Sequence, residues 1–198
     1  MAVSSLEHPV LDVYFYKNQF QLATSDALYS DGTRYQPLLQ GLRQIKKDLP
    51  KIENMLVLGA GLGSAVSILD KMGFYPTMTL LDNDEVILKM SNELMDYQLR
   101  DNIALVCEDA ASFIKKNEQK FDLIIIDIFK GRVVPDFAVQ KDFLVSCKRS
   151  LSRPGYIIMN YMINSKKEWI EFQGVFNLIF SNTQIIEIGI NRVMIARV

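Results

Sequence analysis

The 198-residue chain is poor in histidine and cysteine, and each scarcity excludes a class of chemistry. Its one histidine, His8, stands beside Pro9 near the start, so no histidine set exists to hold a catalytic metal, and no metal site is expected. The two cysteines, Cys107 and Cys147, lack the spacing of a disulfide framework and read as reduced core thiols. No apolar run is long enough to span a bilayer. The opening MAVSSLEHPVLDVYFY lacks the basic start and apolar core of a signal peptide. An excess of one charge is missing too. With 22 basic and 23 acidic residues, no net field draws the chain to nucleic acid or to a membrane surface. These absences leave a cytoplasmic protein with no nucleic-acid or membrane partner, and with length for one sizeable core plus a small appendage.

What is present, from Lys51 onward, is an alternation of short apolar runs with helical patterns. NMLVLG (54–59), TMTLLD (77–82), NIALVC (102–107), FDLIIID (121–127) and GYIIMN (155–160) read as strands. FDLIII has no apolar–polar alternation, the pattern of a strand buried on both faces of a parallel sheet. Between these runs, Val86, Met90, Leu94 and Tyr97 are spaced as one helical face, and so are Val139, Phe143, Cys147 and Leu151. Pro154-Gly155 is expected to stop the second of these helices and open the fifth strand. A further helix carries Trp169, Phe172, Phe176 and Ile179 on one side. The closing QIIEIGINRVMIARV divides around Gly189 to Asn191, too tightly for a parallel return, so it must be a hairpin. The expected fold is α/β: a doubly wound, Rossmann-like seven-stranded sheet whose last strand is antiparallel, the class I methyltransferase arrangement.

Residues 1–50 differ. LDVYFYKNQFQLATS has two strand-like halves around Lys17-Asn18, and turn chemistry recurs at Ser30-Asp31-Gly32. A helix from Pro37 to Asp48 should then lead into the first core strand, with proline in its first turn. The expected division is a β-hairpin extension with a linking helix (1–50) and a cofactor-binding domain (51–198).

LGAGLGSA places Gly59, Gly61 and Gly63 between the first core strand and its helix. Glycine permits a tight turn and close approach of a ligand to the backbone, and the helix start offers free N–H groups. Ser64 stands where a dinucleotide fingerprint has its third glycine, which disfavours NAD. Asp82 ends the second strand, followed by Asn83, where a carboxylate can accept the hydroxyls of an adenosine ribose. Asp109 and Ala110 follow the third strand, suited to an adenine amino group and ring. Helix capping would explain either acid alone. Asp127 ends the buried fourth strand, placed to orient an acceptor or take its proton, or else to cap the loop before Gly131.

The order LGAGLGSA, LLDND, CEDAASFI, FDLIIIDIF resembles the spermidine synthases and their relatives, a branch of the class I AdoMet-dependent transferase superfamily. The likeness runs over about residues 11 to 160 and includes the N-terminal hairpin; GRVVPDFAVQKDFL resembles the family's proline-containing link and helix. It implies S-adenosylmethionine or its decarboxylated form as cofactor, and a homodimer. Asp82, Asp84 and Asp109 would lie on the cofactor side, and Asp127 would be the catalytic base.

The chain departs from that pattern at several positions. Leu62 replaces an acid in the glycine loop, and Lys130 replaces a second acid three residues beyond the catalytic one. Asp26, Gln36 and Pro37 stand where the family has other polar residues around the N-terminal helix, while Tyr35 matches. A lysine about 5 Å from an ammonium repels it by about 3 kcal/mol at an effective dielectric of about 20. Diamines should therefore bind poorly, and Leu62 should not discriminate against the AdoMet carboxylate. The expectation is methyl transfer from AdoMet to a small-molecule acceptor, with Asp127 catalytic and Tyr29, Tyr35 and Lys130 on the acceptor side beside Asp31 and Tyr161. Aminopropyl transfer to a polyamine, and a nucleoside-binding module without activity, are the alternatives.

Overall fold

Lys17 and Asn18 turn the chain at φ of 48° and 60°, the left-handed pair that matches the twist of a two-residue hairpin. In the computed structural model, which describes residues 2–5 and 10–198, this hairpin is the centre of a larger sheet. Strands β1 (Ala2–Val3), β2 (Leu11–Tyr16), β3 (Gln19–Ala23) and β4 (Leu28–Ser30) form a four-stranded antiparallel sheet in that order. His8 lies outside the described residues. Helix α1 (Gln36–Gln44) is shorter than the Pro37–Asp48 span expected. Past Gln44 the backbone tightens to bonds such as Asp48 N to Ile45 O at 2.8 Å, and Leu49–Lys51 forms a separate 3-10 turn with Pro50 in its first turn.

The main sheet holds β5 (Asn54–Leu58), β6 (Thr77–Asp82), β7 (Ile103–Cys107), β8 (Phe121–Ile126), β9 (Leu151–Met162), β10 (Gln184–Ile188) and β11 (Asn191–Arg197). Its order is β10-β11-β9-β8-β5-β6-β7, with β5 to β9 parallel and β11 antiparallel to both neighbours. This is the expected Rossmann-like sheet. The chain starts in the middle at β5, runs out to β7, then returns to β8 on the other side. The reversal between β5 and β8 leaves a crevice at their carboxyl ends, where such sheets take ligands.

Helices α2 (Ser64–Met72), α3 (Glu85–Leu94), α4 (Ala110–Lys116), α5 (Lys141–Ser150) and α6 (Lys166–Ile179) complete the layers. Alternate strand residues serve the two faces. Leu56, Leu58, Ile124 and Ile126 join Phe143, Cys147, Phe172 and Phe176, whereas Val57, Leu123 and Ile125 join Leu38, Leu42 and Ile68. β8 is therefore apolar throughout because both of its faces are covered. A third cluster, with Leu11, Val13 and Leu22 against Leu62, Ile87 and Met90, seats the N-terminal sheet on the glycine loop and α3.

Three local expectations need correction. Leu94 and Tyr97 are exposed; the buried face of α3 is Ile87, Leu88, Met90 and Ser91, because the helix ends at Leu94 and Tyr97 lies in the next turn. Only Phe143 and Cys147 of the second stripe lie in α5, since Val139 precedes it in a 3-10 turn and Leu151 already opens β9. The helix thus stops before Pro154, which sits where β9 shifts register against β8 and a missing N–H is tolerated. Cys107 is exposed, so of the two cysteines only Cys147 is a core residue.

Candidate active site

At the carboxyl ends of β5, β6 and β8 lies a cavity of about 240 Å³, lined among others by Tyr29, Gly59, Gly61, Asp82, Asn83, Asp109, Ala110, Asp127 and Lys130. These residues come from separate segments, and the sheet edge brings them together. Gly63 and Tyr35 do not line it. The cavity's remaining wall is apolar: Leu81, Ile87, Ile128, Phe129, Pro135 and Phe137.

The glycines are required by close approach. Gly59 has φ of 91°, and a Cβ there would stand 2.3 Å from the carbonyl oxygen of Asp127. Asp127 N in turn donates to Leu58 O at 2.8 Å. Gly59 therefore lets the end of β8 pass directly against the glycine loop. A Cβ on Gly61 would meet Tyr29 O at 3.2 Å, where the N-terminal sheet closes over the loop. Gly63 caps α2 in the left-handed region and lies beside Ser91 rather than in the cavity.

The acids divide their tasks. Asp82 Oδ2 accepts from Ala60 N and its Oδ1 from Asp84 N, both at 3.1 Å. Burial nonetheless raises its pKa to about 6 against those bonds. The helix cap is Asp84, which accepts from Val86 N and Ile87 N, is buried, and lies off the cavity wall. Asp109 does both things considered for it: Oδ1 caps α4 through Ser112 N at 2.8 Å, and the residue lines the cavity.

Asp127 does not cap its loop. Its Oδ1 accepts from Asn160 Nδ2 at 2.9 Å and from the Tyr35 hydroxyl at 3.2 Å. Gly131 N, the loop donor it would have capped, goes instead to the Tyr29 hydroxyl at 2.5 Å. Burial raises the Asp127 pKa to about 6, with the two hydrogen bonds acting in the opposite sense. Tyr35 is held well above its usual value, by burial and then by the Asp127 charge, so it is a neutral donor. No described donor reaches Asp127 Oδ2. Asn160 went unnoticed in the sequence; the available signal was one amide inside the apolar strand GYIIMN. Its Oδ1 is buried with no partner among the described residues.

Two expected acceptor-side residues, and the leucine of the glycine loop, stand elsewhere. Tyr161 stacks on Phe172 with centroids 4.9 Å apart in the core. Asp31 pairs with Arg34 at 2.7 Å. Leu62 is turned into the third apolar cluster, so it does not face a cofactor, and the expected link between Leu62 and carboxylate discrimination loses its geometric basis. Lys130 is exposed at the cavity wall. A glycine cradle that any Cβ would fill, apolar walls for a ring and acids with spare lone pairs suit an adenosyl group.

The spermine/spermidine synthase domain profile matches residues 33–187. The chain belongs to the spermine/spermidine synthase family. Polyamine aminopropyltransferase from Vibrio vulnificus is 29% identical over 153 residues, covering 74% of this chain and 51% of the relative. A Clostridium botulinum polyamine aminopropyltransferase is 25% identical over 141 residues, 65% of this chain and 50% of the relative. The chain thus spans about half the length of these curated relatives. A probable spermidine synthase from Corynebacterium glutamicum superposes with TM-score 0.81 at 15% identity, over 100% of this chain and 79% of that one. Human methyltransferase-like protein 13, in complex with SAH, gives TM-score 0.69 at 18% identity over 84% and 81%. At such identities the two structures establish the shared fold.

Proposed function

We propose that this chain is an AdoMet-class transferase that moves an aminopropyl group from decarboxylated AdoMet to an amine acceptor. The observation that carries the reading is Asp127: a carboxylate ending a buried strand, anchored through Oδ1 and left with Oδ2 for a ligand. Membership of the spermine/spermidine synthase family, with relatives named as polyamine aminopropyltransferases, favours this over the methyl transfer expected from the sequence.

The donor, when bound, supplies an electrophilic carbon on a sulfonium. The chain's residues do the rest. Asp82 and Asp109 accept hydrogen bonds from the nucleoside, and Ala110, Ile128 and Phe129 offer apolar surface to its ring. Asp127 Oδ2 orients the acceptor amine and takes a proton from it, a role suited to a carboxyl poised near pH 6. Fixing the carboxylate through its other oxygen, Oδ1, by two neutral donors is pre-organisation, because alignment rather than acid strength dominates attack on a sulfonium.

The test is incubation with decarboxylated AdoMet and with AdoMet, each with an amine, and analysis of the nucleoside product. Methylthioadenosine supports aminopropyl transfer. S-adenosylhomocysteine establishes methyl transfer instead. Absence of calorimetric binding of either donor or of methylthioadenosine leaves the inactive module. We further propose a homodimer.

A further inference from the structure

Of the charged groups on the cavity wall, three are acids and one is a cation: Asp82, Asp109, Asp127 and Lys130. Asp82 has both oxygens engaged by backbone N–H groups, and Asp109 and Asp127 each have one oxygen engaged. Lys130 forms no ion pair with a described residue. Its backbone is nevertheless fixed. Lys130 N donates to Val133 O at 2.9 Å, Val133 N returns to Lys130 O at 3.2 Å, and Gly131 N is held by Tyr29. The cation is therefore carried by a pinned loop, three residues beyond Asp127. The same loop holds Arg132 and has no acid before Asp136. Asp26 lies against Gly131, its carboxylate accepting from Thr24 Oγ1 at 2.9 Å, and offsets part of this charge.

We propose that the acceptor is an amine that also carries an anionic group, and that Lys130 is the residue that selects it. The inference rests on the transferase reading above. Asp127 and Lys130 present opposite charges to one cavity, and an acceptor with an amine at one end and a carboxylate at the other complements both. A diamine satisfies Asp127 but places its second ammonium near Lys130, and like charges in a partly dry cavity repel. In the transfer step, the acceptor nitrogen's lone pair forms a bond to the carbon attached to the sulfonium. The carbon–sulfur bond breaks, and its electron pair neutralises sulfur to a thioether. The proton shed by nitrogen goes to Asp127 Oδ2 and then to solvent. The acceptor's anion takes no part in bond making and stays beside Lys130.

The experiment compares 4-aminobutyrate with putrescine, which have the same carbon chain and differ in one terminal charge. Calorimetric binding is measured on the protein saturated with methylthioadenosine, and turnover is followed with decarboxylated AdoMet. The wild type should bind and use 4-aminobutyrate about tenfold better than putrescine, a modest ratio because Lys130 is solvent-exposed. Lys130→Gln should shrink that preference, and Lys130→Asp should invert it, with melting temperatures unchanged because the side chain is on the surface. A wild type that prefers putrescine, that binds neither probe, or whose preference survives both substitutions overturns the proposal. Binding ranked as expected without turnover of either probe supports the charge selection and counts against aminopropyl transfer instead.

Discussion

Asn160 Nδ2 donates to Asp127 Oδ1 across 2.9 Å, tying together the carboxyl ends of two adjacent parallel strands, β8 and β9. The same amide nitrogen lies 3.3 Å from the Tyr35 hydroxyl, which also donates to Asp127. One carboxylate oxygen is thus fixed by α1's N-cap residue and by β9, while the other is left for a ligand.

Removing the amide should shift the pH dependence of the reaction. The hydrogen bond lowers the Asp127 pKa, so in Asn160→Ala it should rise above its value of about 6. A charged hydrogen bond contributes about 1.5–3 kcal/mol, enough to move the acid limb of kcat/KM upward by about one pH unit or more. A profile that only falls in height, with its limb unmoved, would assign Asn160 to packing alone.

Charge on Asp127 should also weaken the fold. Its folded pKa is raised from 3.8 to about 6, so native stability is fully present below pH 3.8 and is lost as pH rises through 6. At 1.36 kcal/mol per pH unit the penalty at pH 8 is about 3 kcal/mol. Asp127→Asn keeps an acceptor for Tyr35 and Asn160 and removes that charge. It should abolish transfer yet melt higher than wild type at pH 8, with the gain vanishing toward pH 4. Equal melting curves at both pH values would contradict the burial argument.

Asp82→Ala should weaken methylthioadenosine binding more than Asp82→Asn. Alanine leaves the nucleoside without its acceptor and also leaves Ala60 N and Asp84 N unpaired, whereas asparagine keeps one acceptor oxygen. The loss to alanine should be about 1.5–3 kcal/mol in calorimetric affinity. Small, equal effects of the two changes would remove Asp82 from the nucleoside site.

Two glycines that share a positive φ should respond differently to alanine. Gly73 has φ of 79° with open space around its Cβ position, so Gly73→Ala should cost about 1–2 kcal/mol, from the left-handed backbone alone. Gly59→Ala adds a contact of 2.3 Å to Asp127 O. It must displace the end of β8, and should lower thermal stability further and disable the site. Urea melts of the pair give the comparison.

The proposed homodimer should form through the exposed aromatic side chains of the N-terminal sheet. Phe15 and Phe20 pair at 5.0 Å on the same face as the buried Val13 and Leu22, yet Phe15 is 65% exposed. The hairpin thus exposes aromatic side chains on both faces, Phe15 and Phe20 on one and Tyr14 and Tyr16 on the other. Light scattering at micromolar concentration should give a dimer mass, and Phe15→Ser should reduce it to the monomer. A wild-type monomer would show that this face does not join copies of the chain.

Much of this architecture is written in local pattern. The unalternating FDLIII marks a strand covered on both faces, GINR between two β-rich runs dictates an antiparallel close, and Lys17-Asn18 marks the hairpin turn. The glycine loop and the acids after three successive strands follow from chain order alone, because every parallel strand delivers its carboxyl end to the same edge. What local pattern does not encode is where side chains separated by many residues point. Tyr35, Asp127 and Asn160 meet only because α1, β8 and β9 pack together, and their hydrogen bonds span 33 to 125 residues of sequence. The same packing turned Leu62 away from the cavity into an apolar cluster, gave the capping of α3 to Asp84 rather than Asp82, and set Tyr161 against Phe172. Chain order determines which edge of the sheet can carry a site; side-chain packing between distant segments decides which atoms face it.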